Sequence, residues 1–181
     1  AGFDDQKITI TVVDVNDAPE IISGLNVHAL ENQLSVTTVQ ARDDDADALT
    51  FSLSDPADQA LFDLDASSGV LSFKNAPDFE TAIISYVVEV TVTDDGDGNL
   101  ADMQTITVNV TNVNEAPVIT SPSGASEATV AIAENTTVVT TVKANDPDAG
   151  TILTFSLSDP ADQALFALNA SSGALSFKTA P

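Results

Sequence analysis

The stretch TFSLSDPADQALFDLDASSGVLSFKNAP at 50–77 returns as TFSLSDPADQALFALNASSGALSFKTAP at 154–181, an offset of 104 with changes only at positions 63, 65, 70 and 75. A chain that repeats itself this closely folds as small recurring units that obey the same local rules. Other elements recur in the same order. ENQ at 31–33 matches ENT at 134–136, and ARDDDAD at 41–47 matches ANDPDAG at 144–150. DDQKITITVVDVNDAP at 4–19 matches DMQTITVNVTNVNEAP at 102–117 with an offset of 98, the difference reflecting extra residues around SPSGASEAT at 121–129. The expected organisation is therefore the last strand of a preceding unit at 1–17, one complete unit at 18–115, and the first two-thirds of a following unit at 116–181. The third piece lacks a match to DFETAIISYVVEVTVTDDGDG at 78–98, and the abrupt start at AGFDDQKITI is that expected of a piece of a longer protein.

Within the complete unit the apolar residues alternate, which is the period of a strand with one buried face. Leu49, Phe51 and Leu53 share a face, as do Tyr86, Val88, Val90 and Val92, and Ile106, Val108 and Val110. Phe62 with Leu64, and Leu71 with Phe73, predict shorter strands around the turn DASSG, where Gly69 is free to take a positive φ. No stretch sustains helical spacing. About seven short alternating strands in a unit of 98 residues predict an all-β fold of tandem antiparallel Greek-key β-sandwich repeats, immunoglobulin-like in layout, with the second repeat truncated.

Charge narrows the partners. The 28 acidic residues against 5 basic give a net charge of -23, which repels nucleic acid and anionic membrane surfaces. It also opposes compaction unless cations neutralise it, and a divalent metal is the natural counterion. There is no Cys and so no disulfide or thiolate chemistry, and the apolar runs are too short to insert in a membrane as helices.

The acidic residues cluster at the predicted strand ends: Glu31, Asp43 to Asp47, Asp78 with Glu80, Asp94 to Asn99, Asn112 to Glu115, Asp146 with Asp148, and Asp14 to Asp17. Two readings stand beside each other. Asp, Asn and Gly favour turns and keep a surface solvated. Calcium takes 6–8 hard oxygens, and short side chains at alternate positions of an extended segment supply them together. Recurrence of the clusters at corresponding places in two repeats favours the second. DDGDGN at 94–99 reads both as a glycine-rich hairpin between core strands and as part of a single-loop calcium site.

These residues resemble a known family. DVNDAP and NVNEAP, ALEN and AENT, ARDDDAD and ANDPD, PDFE and VTVTDDG are similar to the calcium motifs of cadherin repeats in their bacterial cadherin-like form, and the resemblance covers essentially the whole chain. The family linker reads D-x-N-D-N-A-P and is accompanied by a glutamate, a D-x-D, a D-R-E and an A-x-D. The resemblance implies calcium as the bound ion and two sets of ligands. One set comprises Glu31, Asp78, Glu80, Asn112, Asn114, Glu115, Asp146 and Asp148, at the junction after the complete unit. The other comprises Asp14, Asn16, Asp17, Asp43, Asp45 and Asp94, at the junction before it. Both linkers lack the second Asn of the family pattern, Asn112 and Glu115 stand where the pattern has Asp, and Phe79 replaces the Arg of D-R-E. The later junction is therefore expected to bind calcium more weakly.

Catalysis is not expected. His28 stands near Glu31 in a strand-like segment with no nucleophile pattern, and Asp78 and Glu80 are too close in sequence to flank a glycosidic bond. The resemblance implies a calcium-rigidified extender or adhesive segment of a large extracellular bacterial adhesin, secreted or attached to the cell surface. Its partners would be calcium and neighbouring repeats of the same protein. Homophilic contact through an open strand edge, and cell-surface or polysaccharide ligands, stay open. The alternative function is a calcium-dependent carbohydrate-binding cadherin-like module, against which the absence of Trp and the single Tyr weigh.

Overall fold

The computed structural model describes residues 2–55, 58–81, 83–125, 127–159 and 163–181. It divides into two compact units, Ala1–Val113 and Asn114–Pro181. In the first, β1 (Glu20–Ile21) pairs with β4 (Ala41–Arg42). A three-stranded sheet runs in the order β3 (Ser35–Thr38), β7 (Val70–Phe73), β6 (Phe62–Leu64). The principal sheet runs in the order β2 (Asn26–Leu30), β9 (Ala101–Thr111), β8 (Ser85–Thr93), β5 (Thr50–Asp55). Its ladders are antiparallel except β2 against β9, which is parallel.

The alternation seen in the sequence is the burial pattern of these strands. Val88, Val90 and Val92 of β8 and Ile106 and Val108 of β9 are completely buried, while the intervening residues face outward or are half-buried. Phe51 is buried on β5, and Leu49 and Leu53 pack against the core. Phe62 and Phe73 of the smaller sheet meet Tyr86 of the larger one edge-on, with ring centroids 5.8 and 5.3 Å away, so an aromatic trio ties the two layers together. Among the described residues the only helical element of this unit is a short 3-10 turn, Gln59–Leu61, leading into β6.

The DASSG turn between β6 and β7 is fixed by Asp65. Its Oδ1 accepts from the Ser67 and Ser68 amides at 3.1 and 2.7 Å and from the Ser68 hydroxyl at 2.8 Å. Gly69 then takes φ +69°, and a Cβ there would strike the Val39 carbonyl. The second unit repeats the device with Asn169, whose Oδ1 accepts from the Ser171 and Ser172 amides at 3.0 and 2.9 Å ahead of Gly173 at φ +68°. The substitution of Asn for Asp between repeats is silent here because either side chain presents the accepting oxygen.

The second unit consists of β10 (Val118–Ile119) paired with β12 (Ala144–Asn145), and of the sheet β11 (Val138–Thr141), β14 (Ala174–Phe177), β13 (Phe166–Leu168). Phe166 and Phe177 stack at 4.6 Å, as Phe62 and Phe73 do at 4.5 Å. Residues 154–158, identical in sequence to the body of β5, form no strand. The reason is a missing neighbour: β5 is held by β8, and no counterpart of β8 lies within these 181 residues. Residues 6–13, expected as a strand, likewise form no ladder among the described residues and are exposed.

Candidate metal centre

Two groups of carboxylates stand at the strand ends of the first unit. The richer one is assembled from three places in the chain. The segment after β4 supplies Asp43, Asp45 and Asp47, the end of β8 supplies Asp94, and the segment leading to β1 supplies Asn16 and Asp17. Asp94 is buried, and its Oδ1 accepts from the Gly96 and Leu100 amides at 3.2 and 2.9 Å, which closes the 95–100 loop. Its Oδ2 accepts from Asn16 Nδ2 at 3.1 Å, and the same amide nitrogen donates to the Asp97 carbonyl at 3.2 Å. Asp43 Oδ1 accepts from the Asp45 and Asp47 amides at 2.9 and 3.3 Å, and Asp45 Oδ2 accepts from the Asp17 amide at 2.6 Å.

These bonds occupy both oxygens of Asp94 but leave one oxygen each of Asn16 and Asp43 unused. Asn16 Oδ1 and Asp43 Oδ2 are buried with no hydrogen-bond partner among the described residues. One oxygen each from Asp43, Asp45 and Asp47 lies within 4.8 Å of the others. Asp47 Oδ2 and Asn16 Oδ1 also press on the space where Gly96 has no side chain, so any other residue there would collide with both. The electrostatic consequence falls on Asp47. Partial burial, followed by the negative charges of Asp43, Asp95, Asp45 and Asp94, raises its pKa above the usual carboxylate range. Buried oxygens without donors and several carboxylates in mutual repulsion are what a hard divalent cation relieves, and an all-oxygen donor set fits calcium.

The second group contains Glu31, Asp78 and Glu80, with carboxylate oxygens again within 4.8 Å of one another. Glu31 follows β2 and is 1% exposed. Its Oε2 accepts from the Phe79 amide at 2.8 Å and its Oε1 from the Val113 amide at 2.7 Å, so it joins the 78–80 turn to the end of β9. Asp78 Oδ1 accepts from the Glu80 amide at 3.0 Å, and Asn112 Nδ2 approaches Glu80 Oε1 at 3.5 Å.

In the second unit the linker and D-x-D residues repeat the first arrangement. Asp146 Oδ1 accepts from the Asp148 amide at 3.0 Å, Asp148 Oδ2 accepts from the Glu115 amide at 2.7 Å, and Asn114 Nδ2 donates to the Glu115 carbonyl at 3.1 Å. Glu115, Asp146 and Asp148 thus stand as Asp17, Asp43 and Asp45 do, while Gly150 occupies the place of Asp47.

Of the residues the sequence singled out, Asn16, Asp17, Asp43, Asp45 and Asp94 form one connected group, and Glu31, Asp78, Glu80 and Asn112 another. Asp14 is exposed and takes no part in the bonds of the first group. Asp47 was outside the expected ligand set, although its signal is plain in retrospect as the third member of the alternation Asp43, Asp45, Asp47. Gly96 was missed because smallness at a contact has no sequence pattern.

No family model matches the sequence. Among curated proteins, human Protocadherin-23 is 34% identical over 175 residues, covering 91% of this chain and 5% of that protein. Human Protocadherin-16 is 31% identical over 186 residues, covering 93% and 6% respectively, so the chain spans about a twentieth of the relatives it matches. Among solved structures, Form II of human Protocadherin-24 EC1-2 gives a TM-score of 0.61 at 20% identity, covering 92% of this chain and 81% of that one. The Protocadherin GammaB4 extracellular domain gives 0.51 at 27% identity, covering 92% and 30%. Among the described residues no helix is long and apolar enough to cross a membrane. The fold is the β-sandwich of cadherin structures, and the sequence relatives and solved structures together support a cadherin repeat domain in this chain.

Proposed function

We propose that the chain is a calcium-binding adhesion segment, an extracellular run of cadherin-like repeats whose linkers stiffen when the ion is held. The observation that carries this reading is the pair of buried, unpartnered oxygens, Asn16 Oδ1 and Asp43 Oδ2, among Asp45, Asp47 and Asp94. Asn16, Asp17, Asp43, Asp45, Asp47 and Asp94 would hold one ion, and Glu31, Asp78 and Glu80 would hold another with Asn112. Calcium supplies the positive charge that the cluster lacks. The chain's own residues do the rest: Asp94 closes the 95–100 loop, Asp43 folds the 43–47 segment, and Asp45 anchors the linker through the Asp17 amide.

The second unit enters the same reading through Asn114, Glu115, Asp146 and Asp148, with weaker binding because Gly150 offers no carboxylate. Stiffening follows from tying each linker to a folded unit, which removes backbone freedom at the hinge. The setting in a large bacterial surface adhesin is carried over from the linker and D-x-D motifs.

The test is thermal melting and small-angle scattering in calcium and then in excess chelator. Extracellular modules bind calcium at ~10⁻⁴–10⁻³ M, so about 10 mM calcium stabilises by roughly 1.4–2.7 kcal/mol per site. That corresponds to a rise in Tm on the order of 5–20 °C for a unit of this size. Identical melting and identical dimensions in both buffers overturn the reading.

A further inference from the structure

An Asn followed two residues later by Ser or Thr, with no Pro between, is the acceptor pattern for an N-linked sugar. The chain holds three: Asn109-Val110-Thr111, Asn135-Thr136-Thr137 and Asn169-Ala170-Ser171. The fold sets them in different surroundings. Asn109 lies within the principal sheet, between His28 of β2 and Ser85 of β8. It is half-buried and its Oδ1 accepts from the Ser85 hydroxyl at 3.1 Å, so a sugar there would lie on a strand bonded along both edges. Asn135 is exposed with φ +61°, next to Glu134, whose counterpart Glu31 belongs to the second carboxylate group. A sugar at Asn135 would stand against that pole. Asn169 and Ser171 are both exposed, in the turn between β13 and β14.

We propose that Asn169 is the acceptor for an N-linked sugar, a modification that separates the second repeat from the first. The turn already holds the carboxamide in place. Its Oδ1 accepts from the Ser171 and Ser172 amides at 3.0 and 2.9 Å, which leaves both Nδ2 protons without a partner among the described residues. Donation to Oδ1 also draws electron density from the nitrogen and acidifies those protons. The backbone is satisfied independently, the Asn169 amide donating to the Ala174 carbonyl and the Gly173 amide to the Asn169 carbonyl, each at 2.9 Å. In the step itself Nδ2 attacks the anomeric carbon of a sugar activated as a glycosyl diphosphate. The bond from that carbon to the diphosphate oxygen breaks, the diphosphate leaves with the electron pair, and Nδ2 passes one proton to a base of the transferase.

The first repeat is the internal control. Asp65-Ala66-Ser67 makes the same turn with the same accepting oxygen, and these residues are exposed in a unit whose core is complete. Exposure is therefore a property of the turn itself, and only the nitrogen is missing. A substitution that is silent for the turn's geometry is decisive for its chemistry.

The inference rests on the extracellular placement in the proposed function, but its test supplies that compartment. In one arm the chain is secreted from cultured animal cells, which attach an oligosaccharide carried on a lipid diphosphate. In the other the purified chain meets a soluble N-glycosyltransferase and UDP-glucose, a sugar carried on a nucleotide. Peptide mass spectrometry should find sugar on Asn169 in at least one arm, and the arm identifies the carrier. The Asn109 peptide should carry less than the Asn169 peptide wherever sugar is found. Asn169→Asp, which reproduces the Asp65 turn, should lose one sugar chain. Ser171→Ala should lose it too, although both amide donors to Oδ1 remain. Asp65→Asn completes the acceptor pattern with Ala66 and Ser67 and should gain one sugar chain in the first repeat. A bare Asn169 in both arms, an Asn109 peptide as heavily modified as the Asn169 peptide, or no gain in Asp65→Asn overturns the proposal. None of these readouts involves calcium, so a failure here is distinct from a failure of the calcium reading.

Discussion

Asn16 Nδ2 donates to Asp94 Oδ2 at 3.1 Å, joining a linker residue to one 78 positions later at the end of β8. That bond decides which end of the Asn16 amide faces Asp94, and so leaves its carbonyl oxygen buried near Asp47. Asn16→Ala removes an oxygen and the tether together. Calorimetric titration of the variant should show calcium affinity at this pole reduced by about tenfold or more, with a modest fall of Tm in chelator because buried Asp94 Oδ2 loses its donor.

Asp47→Asn should act in opposite directions with and without metal. Burial and four neighbouring carboxylates disfavour the Asp47 charge, so neutralising it relieves repulsion in the metal-free protein. The variant's Tm in chelator should rise above that of the wild type, while its Tm in calcium should gain less. A fall in Tm in chelator would contradict the electrostatic account of this cluster. Tyr86, the chain's only tyrosine, reports on the first unit by fluorescence, undisturbed by any Trp.

How much of this was legible in the sequence depends on the link in question. The alternation in YVVEVTV and ITVNV gave the buried faces of β8 and β9 directly, because side-chain direction in a strand follows from residue parity alone. The same alternation in residues 6–13 predicted a strand that the chain does not form, since parity says which face is apolar but not whether a neighbour exists to bond it. The parallel pairing of β2 with β9 was invisible for a related reason: strand direction is set by the path of connections, which no local pattern encodes. At the candidate metal centre, the family resemblance pointed to Asp43, Asp45 and Asp94, which the fold brings to one pole, whereas the role of Gly96 required knowing that Asp47 and Asn16 crowd it from elsewhere in the chain.

Glu31 serves as a structural acceptor as well as a candidate ligand. It is 1% exposed and receives two backbone amides, from Phe79 and Val113. Glu31→Ala leaves both donors unpaired in a buried place, at a cost of ~1–3 kcal/mol for each. Chemical denaturation in chelator, followed through Tyr86, should therefore show a loss of several kcal/mol, larger than that for Asn16, whose removal deprives one buried acceptor of its donor.

The Asp65 turn makes a prediction with a definite sign in pH. Hydrogen bonds from the Ser68 amide and hydroxyl and then from the Ser67 amide hold its carboxyl below the ordinary value. A carboxyl lowered on folding contributes stability that is present above its unfolded pKa and is lost as pH falls through its folded value. Asp65→Asn keeps the accepting oxygen, as Asn169 does in the second unit, and cannot titrate. Thermal melts between about pH 5 and pH 2 should fall less steeply for Asp65→Asn than for the wild type. Asp65→Ala, which loses the acceptor, should melt lower than both at neutral pH.

Leu71 and Leu175 test whether identical sequence means identical energetics. Both sit at the same position of the repeated block, on β7 and β14, each pairing with its shorter neighbour, Leu64 or Leu168. Leu71 is fully buried beneath β8 and β9, while Leu175 is half-buried in the wall of an open cleft in the second unit. Removing a buried leucine side chain costs ~2–5 kcal/mol through lost transfer energy and the cavity left behind. A residue whose outer side already faces open space has fewer contacts to lose and leaves no enclosed cavity. Leu71→Ala should destabilise the first unit by that full amount, and Leu175→Ala should cost the second unit about half of it or less. Hydrogen exchange resolved by mass spectrometry measures each unit separately in dilute solution. Equal losses in the two units would show that the cleft is covered by something other than solvent.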